Sequence, residues 1–320
     1  MPDDKQNKPV NPSPKNDALP PLADPVVAAM FPNVEQAGLA AESLFGAILA
    51  EDKVSIGKIV SLTPQRHHSM TRERGTRIDI EAWSDTNQVV IAEVQILGDS
   101  SMPQRNLLAG SRILTETARP GTNARMMARN MPFVIAINIL SKNIRTAEGT
   151  NKDVVQPAKI MYTKTPIEVA AAQFAIYNVQ LPRFRKIKTD FTNKLHCWLY
   201  AIDTATQKKI TIEEVVKMTS QLQEFIKQDS GFEQYCEQYK RVAADPVTRA
   251  EYYRWVDDVM HQEGVIQWAR DEGIEIGEQR GIEASARNFL TMGLAPEQVA
   301  QGTGLPLAKI KELMELGIRD

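Results

Sequence analysis

Residues 77–97 read RIDIEAWSDTNQVVIAEVQIL, and this stretch decides the fold class of the chain. Two segments rich in β-branched residues, 77–83 and 89–97, flank a short link of turn-forming residues, 85–87. The first segment alternates polar and apolar residues, which is typical of a strand whose two faces meet different surroundings. Because the link is short, we predict that the two segments form an antiparallel hairpin.

The segments around this hairpin predict the rest of the core. Apolar residues recur at helical spacing in 35–51 and 101–117, and residues 56–62 form another short strand pattern. Residues 132–140 are almost unbroken in their apolar character, as expected of a central strand buried on both faces, and 174–181 is a fifth strand candidate. The order helix, three strands, helix, strand, strand predicts an α/β sandwich.

The chain divides into four predicted regions. Residues 1–20 contain almost no large apolar residue and predict a disordered N-terminal arm, and residues 21–190 form the α/β core. Residues 191–271 predict a helical region. Residues 272–320 begin with glycines at every fourth position, interpreted as a flexible connector, and end in a small helical tail that resembles a helix-turn-helix unit or a packing hairpin.

Composition excludes several classes of protein. Hydrophobic residues make up 42% of the chain and charged residues 24%, close to the average of folded globular proteins. No stretch is long and apolar enough to span a bilayer, and the first residues lack a signal-peptide pattern, so we expect a cytoplasmic protein without membrane contact. Two cysteines and four histidines do not form a zinc-binding spacing.

The net charge of −2 conceals an uneven distribution of charge along the chain. Residues 58–145 contain 12 Lys and Arg against 7 Asp and Glu, whereas residues 213–278 contain 7 against 15. A basic excess favours contact with a polyanion such as DNA, although a solvated surface has the same composition in many proteins. The acidic helical half is instead a candidate surface for self-association or another protein partner.

Both strands of the hairpin carry acidic side chains. Strict alternation places Asp79 and Glu81 on one face of their strand, opposite Ile78, and the hairpin brings Asp79, Glu93 and Gln95 to a shared surface. Two neighbouring carboxylates repel each other, and a divalent cation with a preference for oxygen ligands, Mg²⁺ or Mn²⁺, relieves that repulsion. The alternative interpretation is that these carboxylates mark the solvent face of an edge hairpin.

The hairpin motif resembles the PD-(D/E)XK superfamily, and within it the recombination-promoting nucleases and the PD-(D/E)XK nuclease family transposases. The most specific part of the resemblance is RIDIEA, residues 77–82, followed by a turn and VIAEVQ, residues 90–95, within a likeness that runs from about Asp24 to the end. It implies a restriction-endonuclease-like mixed sheet flanked by helices, followed by a helical C-terminal region. It also implies that Asp79 and Glu93 bind the metal and that Gln95 replaces the usual lysine.

The resemblance suggests further site residues. Arg105 and Ser111 match the polar positions of the next helix and are expected to contact DNA, while Leu107 and Leu108 replace aromatic residues. Glu42 is a candidate third acidic metal ligand on the first helix.

Basic residues before the hairpin suit contact with the phosphate backbone of DNA. Arg74 and Arg77 belong to this group and predict binding that depends on salt rather than on base sequence. The leading hypothesis is a magnesium-dependent DNA endonuclease linked to recombination or transposition. The alternative is a catalytically weak DNA-binding or assembly module with the same fold. A third possibility is that the helical C-terminal region forms a homo-oligomer or binds another partner.

Overall fold

A computed structural model describes residues 18–68, 76–95, 102–116, 123–143, 153–165, 167 and 173–316. It contains a mixed six-stranded sheet with flanking helices and a helical C-terminal region, which confirms the predicted fold class. The strands are β1 (Ile59–His68), β2 (Thr76–Ser84), β3 (Gln88–Gln95), β4 (Phe133–Leu140), β5 (Val155–Lys159) and β6 (Phe174–Gln180). The helices of the α/β core are α1 (Asp24–Met30), α2 (Val34–Ala50), α3 (Met102–Glu116), α4 (Ala124–Asn130) and α5 (Leu181–Phe184). The later helices are α6 (Lys194–Lys208), α7 (Ile212–Lys217), α8 (Ser220–Gln228), α9 (Ser230–Ala244), α10 (Pro246–Thr291), α11 (Pro296–Thr303) and α12 (Leu307–Leu316).

The strands lie in the order β1-β2-β3-β4-β6-β5. The pairs β1–β2, β2–β3 and β5–β6 are antiparallel, whereas β3–β4 and β4–β6 are parallel. The predicted hairpin is therefore confirmed, and its turn contains Asn87 at a φ of 59°. Asparagine tolerates this left-handed conformation better than most residues.

Both edge strands of the sheet contain a proline. Pro64 lies in β1 and Pro157 lies in β5. Proline has no backbone N–H to donate to a neighbouring strand, so it is tolerated at an edge and weakens pairing with another chain there. The two prolines thus mark the limits of the sheet and leave β3 and β4 at its centre.

Helix α3 covers one face of the sheet. A buried apolar cluster joins side chains of α3 to those of β2, β3 and β4: Ile78, Val89, Ile91, Ala109, Ile113, Val134 and Ala136. The helix approaches closely at Gly110, where an added Cβ atom would lie 2.2 Å from the ring of Phe174. Glycine at this position therefore lets α3 rest directly on β6.

The other face of the sheet is also buried. Ile135 and Ile137 of β4 are fully buried there, alternating with the residues that face α3. Helix α2 contacts β1 and β6 and packs against α6 and α9 of the helical region. The approach of α9 is tight at Gly231, where an added Cβ would lie 2.3 Å from the carbonyl oxygen of Leu39.

A buried polar network joins the helical region to α2. The Asp229 carboxylate caps α9 by accepting a hydrogen bond of 2.8 Å from the N–H of Phe232. It also accepts a 2.7 Å bond from the Ser43 hydroxyl and forms a 2.6 Å ion pair with Lys194. The Ser43 hydroxyl in turn accepts a bond from the indole N–H of Trp198. One carboxylate thereby connects α2, α6 and α9.

Two compact units make up the chain, one up to Tyr253 and one from Arg254. Helix α10 runs through the boundary and includes Gly273, Gly277 and Gly281, so the prediction of a flexible connector at these glycines is wrong. Glutamate, arginine and glutamine between the glycines have good helix propensity, although each glycine costs about 1 kcal/mol relative to alanine.

The second unit has its own small core. Buried residues from α10, α11, α12 and the link between the last two form it: Ala286, Val299, Leu305, Ile310 and Leu313. Gly304 ends α11 at a φ of 75°, a conformation that favours glycine. The predicted helical tail is formed by α11 and α12, which pack against the end of α10.

The predicted N-terminal arm ends earlier than expected. Residues 1–17 lie outside the described residues, but Leu19 is fully buried. Its carbonyl oxygen accepts a 2.6 Å hydrogen bond from the Tyr239 hydroxyl. Residues 18–20, assigned to the arm by their composition, thus belong to the folded core. Within the described part of the chain, no helix has the length and apolar character needed to cross a membrane.

The Asp229 network predicts a specific loss of stability. Burial raises the pKa of Asp229, but hydrogen bonds from Lys194, Ser43 and the Phe232 N–H outweigh it and lower the pKa below 3.8. The carboxylate therefore stabilises the fold above about pH 4, and this contribution disappears as the pH falls through the lowered pKa. We expect Asp229→Ala to reduce the free energy of unfolding by about 1–3 kcal/mol at pH 7.

Urea denaturation at pH 7 and at pH 3 measures this effect. The difference between the wild type and Asp229→Ala should shrink at the lower pH. Glu237→Ala, which removes an exposed carboxylate from α9, is the matched control and should leave the unfolding midpoint almost unchanged. An equal effect of both variants would contradict the role of Asp229.

Candidate functional site

Asp79 lies where the pairing of the hairpin strands changes. Registered pairs of β2 and β3 run from Trp83↔Val89 to Ile80↔Ala92. One residue further along β2, the Asp79 carboxylate accepts a 2.8 Å hydrogen bond from the N–H of Val94. A side chain therefore bonds the backbone of β3 at this level, and it holds the Asp79 carboxylate beside the end of β3.

The strict alternation predicted for β2 is wrong at Ile78. Glu81 is the registered partner of Ile91 and therefore shares its face of the sheet. Ile78 packs in the same apolar cluster as Ile91, although three residues separate Ile78 from Glu81. The register of β2 with β1 continues without a shift across residues 76–82, so Ile78 departs from the alternation in its side-chain packing and not through a bulge in the pairing.

The carboxylates of the hairpin are not on a solvent face. Glu81 is 1% exposed and its carboxylate accepts a 2.9 Å hydrogen bond from the indole N–H of Trp83. Asp79 is 7% exposed, and the Glu93 side chain is 12% exposed. Both strands also lie inside the sheet and not at its edge. The alternative interpretation of an exposed edge hairpin is therefore wrong.

Glu93 forms an ion pair with the Arg105 guanidinium across the junction of β3 and α3. A cavity of about 10 Å³ lies beside this pair, a volume sufficient for about one water molecule. The cavity is lined by Ile78, Ile91, Ala92, Glu93, Arg105, Asn106 and Ala109. The pair compensates the charge of a largely buried carboxylate, which is costly to bury without a partner.

The other predicted site residues have different positions. Ser111 is exposed on α3, and Gln95 and Arg77 lie at the ends of β3 and β2 that adjoin Asp79. The side chains of Gln95 and Arg77, and the whole of Arg74, lie outside the described residues.

The structure does not bring Glu42 to Asp79 and Glu93. The Glu42 carboxylate accepts a 2.8 Å hydrogen bond from the N–H of Ile59, which is registered with Ser84. Ser84 is five residues from Asp79 along β2, and this corresponds to about 17 Å of extended strand. The prediction that Glu42 joins Asp79 and Glu93 in binding the metal is therefore wrong. Glu42 instead accepts a backbone hydrogen bond at the start of β1.

Asp79 and Glu93 fit a hard divalent cation by their chemistry. Both donors are carboxylates, they lie on adjoining strands, and Glu93 already holds a positive partner in Arg105. Among the described residues, no group of three or more His, Cys, Asp and Glu side chains is arranged to hold a metal ion. Mg²⁺ commonly binds through one or two carboxylates and keeps water as its remaining ligands, so two carboxylates are sufficient.

The sequence alone did not reveal three amide side chains near Glu93. Asn138 of β4 is the registered partner of Glu93, and Asn178 of β6 is the registered partner of Asn138. Asn106 of α3 is buried and lines the cavity beside Glu93. The available signal was a single polar residue, Asn138, within the apolar run FVIAINIL of β4. A polar side chain inside a buried strand needs a hydrogen-bond partner, so such a residue is a candidate for a functional role.

The chain matches the model of a known protein family. The model of the family described as PD-(D/E)XK nuclease family transposase matches residues 30–267 of this 320-residue chain. No curated protein and no solved structure matches the chain at a significant level.

The ion pair at Glu93 predicts how metal ions affect stability. We expect Arg105→Ala to destabilise the protein in EDTA by about 1–3 kcal/mol, because it removes the positive charge beside the largely buried Glu93 carboxylate. The loss is moderate because Arg105 is one-third exposed and solvent weakens the ion pair. A divalent cation at Glu93 should compensate the lost charge, so Mg²⁺ should raise the melting temperature of Arg105→Ala more than that of the wild type.

Thermal unfolding with EDTA and with increasing Mg²⁺ measures both effects. Arg129→Ala, which removes an exposed arginine from α4, is the control and should respond to Mg²⁺ as the wild type does. An identical Mg²⁺ response of Arg105→Ala and the wild type would contradict competition between Arg105 and the cation.

Proposed function

Because the chain belongs to the PD-(D/E)XK nuclease family transposases, we propose that it is a metal-dependent DNA endonuclease that acts in recombination or transposition. The single observation that supports this most strongly is the position of two largely buried carboxylates, Asp79 and Glu93, at adjoining strand ends. Burial of a carboxylate costs free energy, and these two carboxylates are not needed for packing. Such residues are candidates for a catalytic role.

The cation would be Mg²⁺ or Mn²⁺, held by Asp79 and Glu93. When bound, such a cation polarises a phosphodiester oxygen and lowers the pKa of a coordinated water. The Val94 N–H holds one oxygen of Asp79 and thereby fixes the direction in which its carboxylate faces. Arg105 forms an ion pair with the Glu93 carboxylate, and a charged carboxylate is the form that binds metal.

Contacts with DNA are proposed for the residues around these carboxylates. Arg105, one-third exposed, can offer its forked N–H donors to a phosphate once a cation replaces it at Glu93. Ser111 is exposed on the same helix, and Arg77 and Arg74 add positive charge near the start of β2. Gln95 would orient the attacking water through its amide, since a neutral side chain cannot stabilise developing negative charge as lysine does.

A second candidate function is DNA binding or assembly without efficient cleavage. The observation in its favour is that Gln95 occupies the position of the lysine in the PD-(D/E)XK superfamily motif. Self-association through the acidic helical region is a separate prediction. Activity of the purified chain distinguishes the two functions.

Cleavage of supercoiled plasmid is the test of the proposed activity. We expect nicking and linearisation at roughly 5–10 mM Mg²⁺, a concentration at which weak Mg²⁺ sites are occupied. We expect no cleavage in EDTA. Asp79→Ala and Glu93→Ala should each reduce the rate by about 10²-fold or more, because each removes charge from the cation site.

The control for this test lies on the same hairpin. Asp85→Asn removes an exposed carboxylate at the turn, at the end of β2 away from Asp79, and should leave the rate unchanged. Equal cleavage by the wild type and Asp79→Ala would contradict the metal site. DNA binding without cleavage by any form would support the second candidate function.

Substitution of Gln95 tests its proposed role in orienting water. We expect Gln95→Leu to reduce cleavage by about 10-fold to 10²-fold, because it removes the amide while it keeps the approximate volume. Gln95→Lys should retain or increase the rate, since an ammonium group also stabilises negative charge. Single-turnover cleavage at saturating Mg²⁺ separates this effect from metal affinity, and full activity of Gln95→Leu would exclude the role.

A further inference from the structure

A row of polar side chains crosses the centre of the sheet beside Glu93. Glu93 of β3, Asn138 of β4 and Asn178 of β6 are registered partners on adjacent parallel strands. Registered residues on neighbouring strands share a face of the sheet, and this is the face covered by α3, because Ala136 lies two residues before Asn138 in the α3 cluster. Adjacent strands are about 4.8 Å apart, so the Asn138 side chain adjoins that of Glu93.

The two asparagines fix one another in a defined orientation. The Asn138 Nδ2 group donates a 2.7 Å hydrogen bond to the Oδ1 atom of Asn178. The oxygen and nitrogen of an asparagine amide lie in one plane, on opposite sides of the Cβ–Cγ axis. Since Nδ2 is directed to β6, the Oδ1 atom of Asn138 is directed toward β3 and Glu93.

This oxygen has no protein donor. Asn138 is 0% exposed, and its buried Oδ1 atom lacks a hydrogen-bond partner among the described residues. Its neighbour Glu93 is a carboxylate and therefore also accepts but does not donate when ionised. Two acceptor oxygens placed side by side in a dry interior repel each other unless a cation or a donor lies between them.

We propose that Asn138, oriented by Asn178, supplies a neutral oxygen ligand to the divalent cation held by Glu93, directly or through one coordinated water. This inference rests on the proposed function and adds a residue to its metal site. An amide oxygen suits Mg²⁺ and Mn²⁺, and it adds a ligand where the described residues offer fewer than three acidic ones. The apolar surroundings of β4 explain why the fold holds this oxygen rigidly.

Mn²⁺ binding measured by calorimetry tests the proposal without recourse to cleavage. We expect Asn138→Leu to weaken Mn²⁺ binding by about 10-fold or more, in the range found when groups that support metal ligands are removed. Asn138→Asp places a charged oxygen at the same position and should tighten Mn²⁺ binding by about 10-fold, because affinity increases with the charge of the ligands. Asn138→Asp should also melt at a lower temperature than the wild type in EDTA and recover in Mn²⁺.

Asn178→Asp is the matched control. It adds the same charge to the same row and still accepts the hydrogen bond from Asn138, but it lies one strand further from Glu93. Because the added charge lies one strand further from the cation, we expect it to change Mn²⁺ affinity less than Asn138→Asp does. If Asn138→Asp is unfolded in EDTA, refolding on addition of Mn²⁺, followed by circular dichroism, supports the proposal, and failure to refold contradicts it.

Glu93→Gln separates this proposal from the proposed function. Loss of Mn²⁺ binding in Glu93→Gln together with unchanged binding in both Asn138 variants would overturn the role of Asn138 and leave the metal site intact. Absence of Mn²⁺ binding by the wild type, or equal binding by Glu93→Gln, would instead overturn the metal site itself.

Discussion

The charge of Glu93 is the constraint on which the site depends. Its side chain is largely buried on the face of the sheet that α3 covers, and an unpaired charge in such a place would be costly. Arg105 supplies the opposite charge from α3, so the helix both closes the apolar cluster and neutralises the carboxylate. The close approach of the helix at Gly110 helps to bring Arg105 within reach. Apolar packing and the ion pair therefore act together to fix the position of α3.

The centre of the fold could be predicted from the sequence because its signals are local. The alternating segment of β2, the turn with Asn87 and the apolar run of β4 each depend on neighbours in sequence, and the structure confirms all three elements. The hairpin places Asp79 and Glu93 on adjoining strands, but the registered pairs end at Ile80↔Ala92, and the bond from the Val94 N–H to Asp79 lies beyond them. The family match over residues 30–267 agrees with the predicted fold.

The remaining features depend on contacts between distant residues. Strand β5 is short and contains Pro157, so it lacks a strand pattern and becomes visible only through its pairing with β6. The separation of Glu42 from Asp79 and the row formed by Asn138 and Asn178 depend on strand order and register. The glycines of α10 were misinterpreted because local propensity alone cannot show that the surrounding helix continues.

The metal site is the central claim, and a crystal structure grown with Mn²⁺ tests it most directly. Mn²⁺ scatters X-rays anomalously, so an ion appears as a peak that water cannot produce. We predict one such peak between the carboxylates of Asp79 and Glu93, with Arg105 displaced from Glu93. Saturating Mn²⁺ in the crystal with no peak there, and with Arg105 still paired to Glu93, would contradict the account.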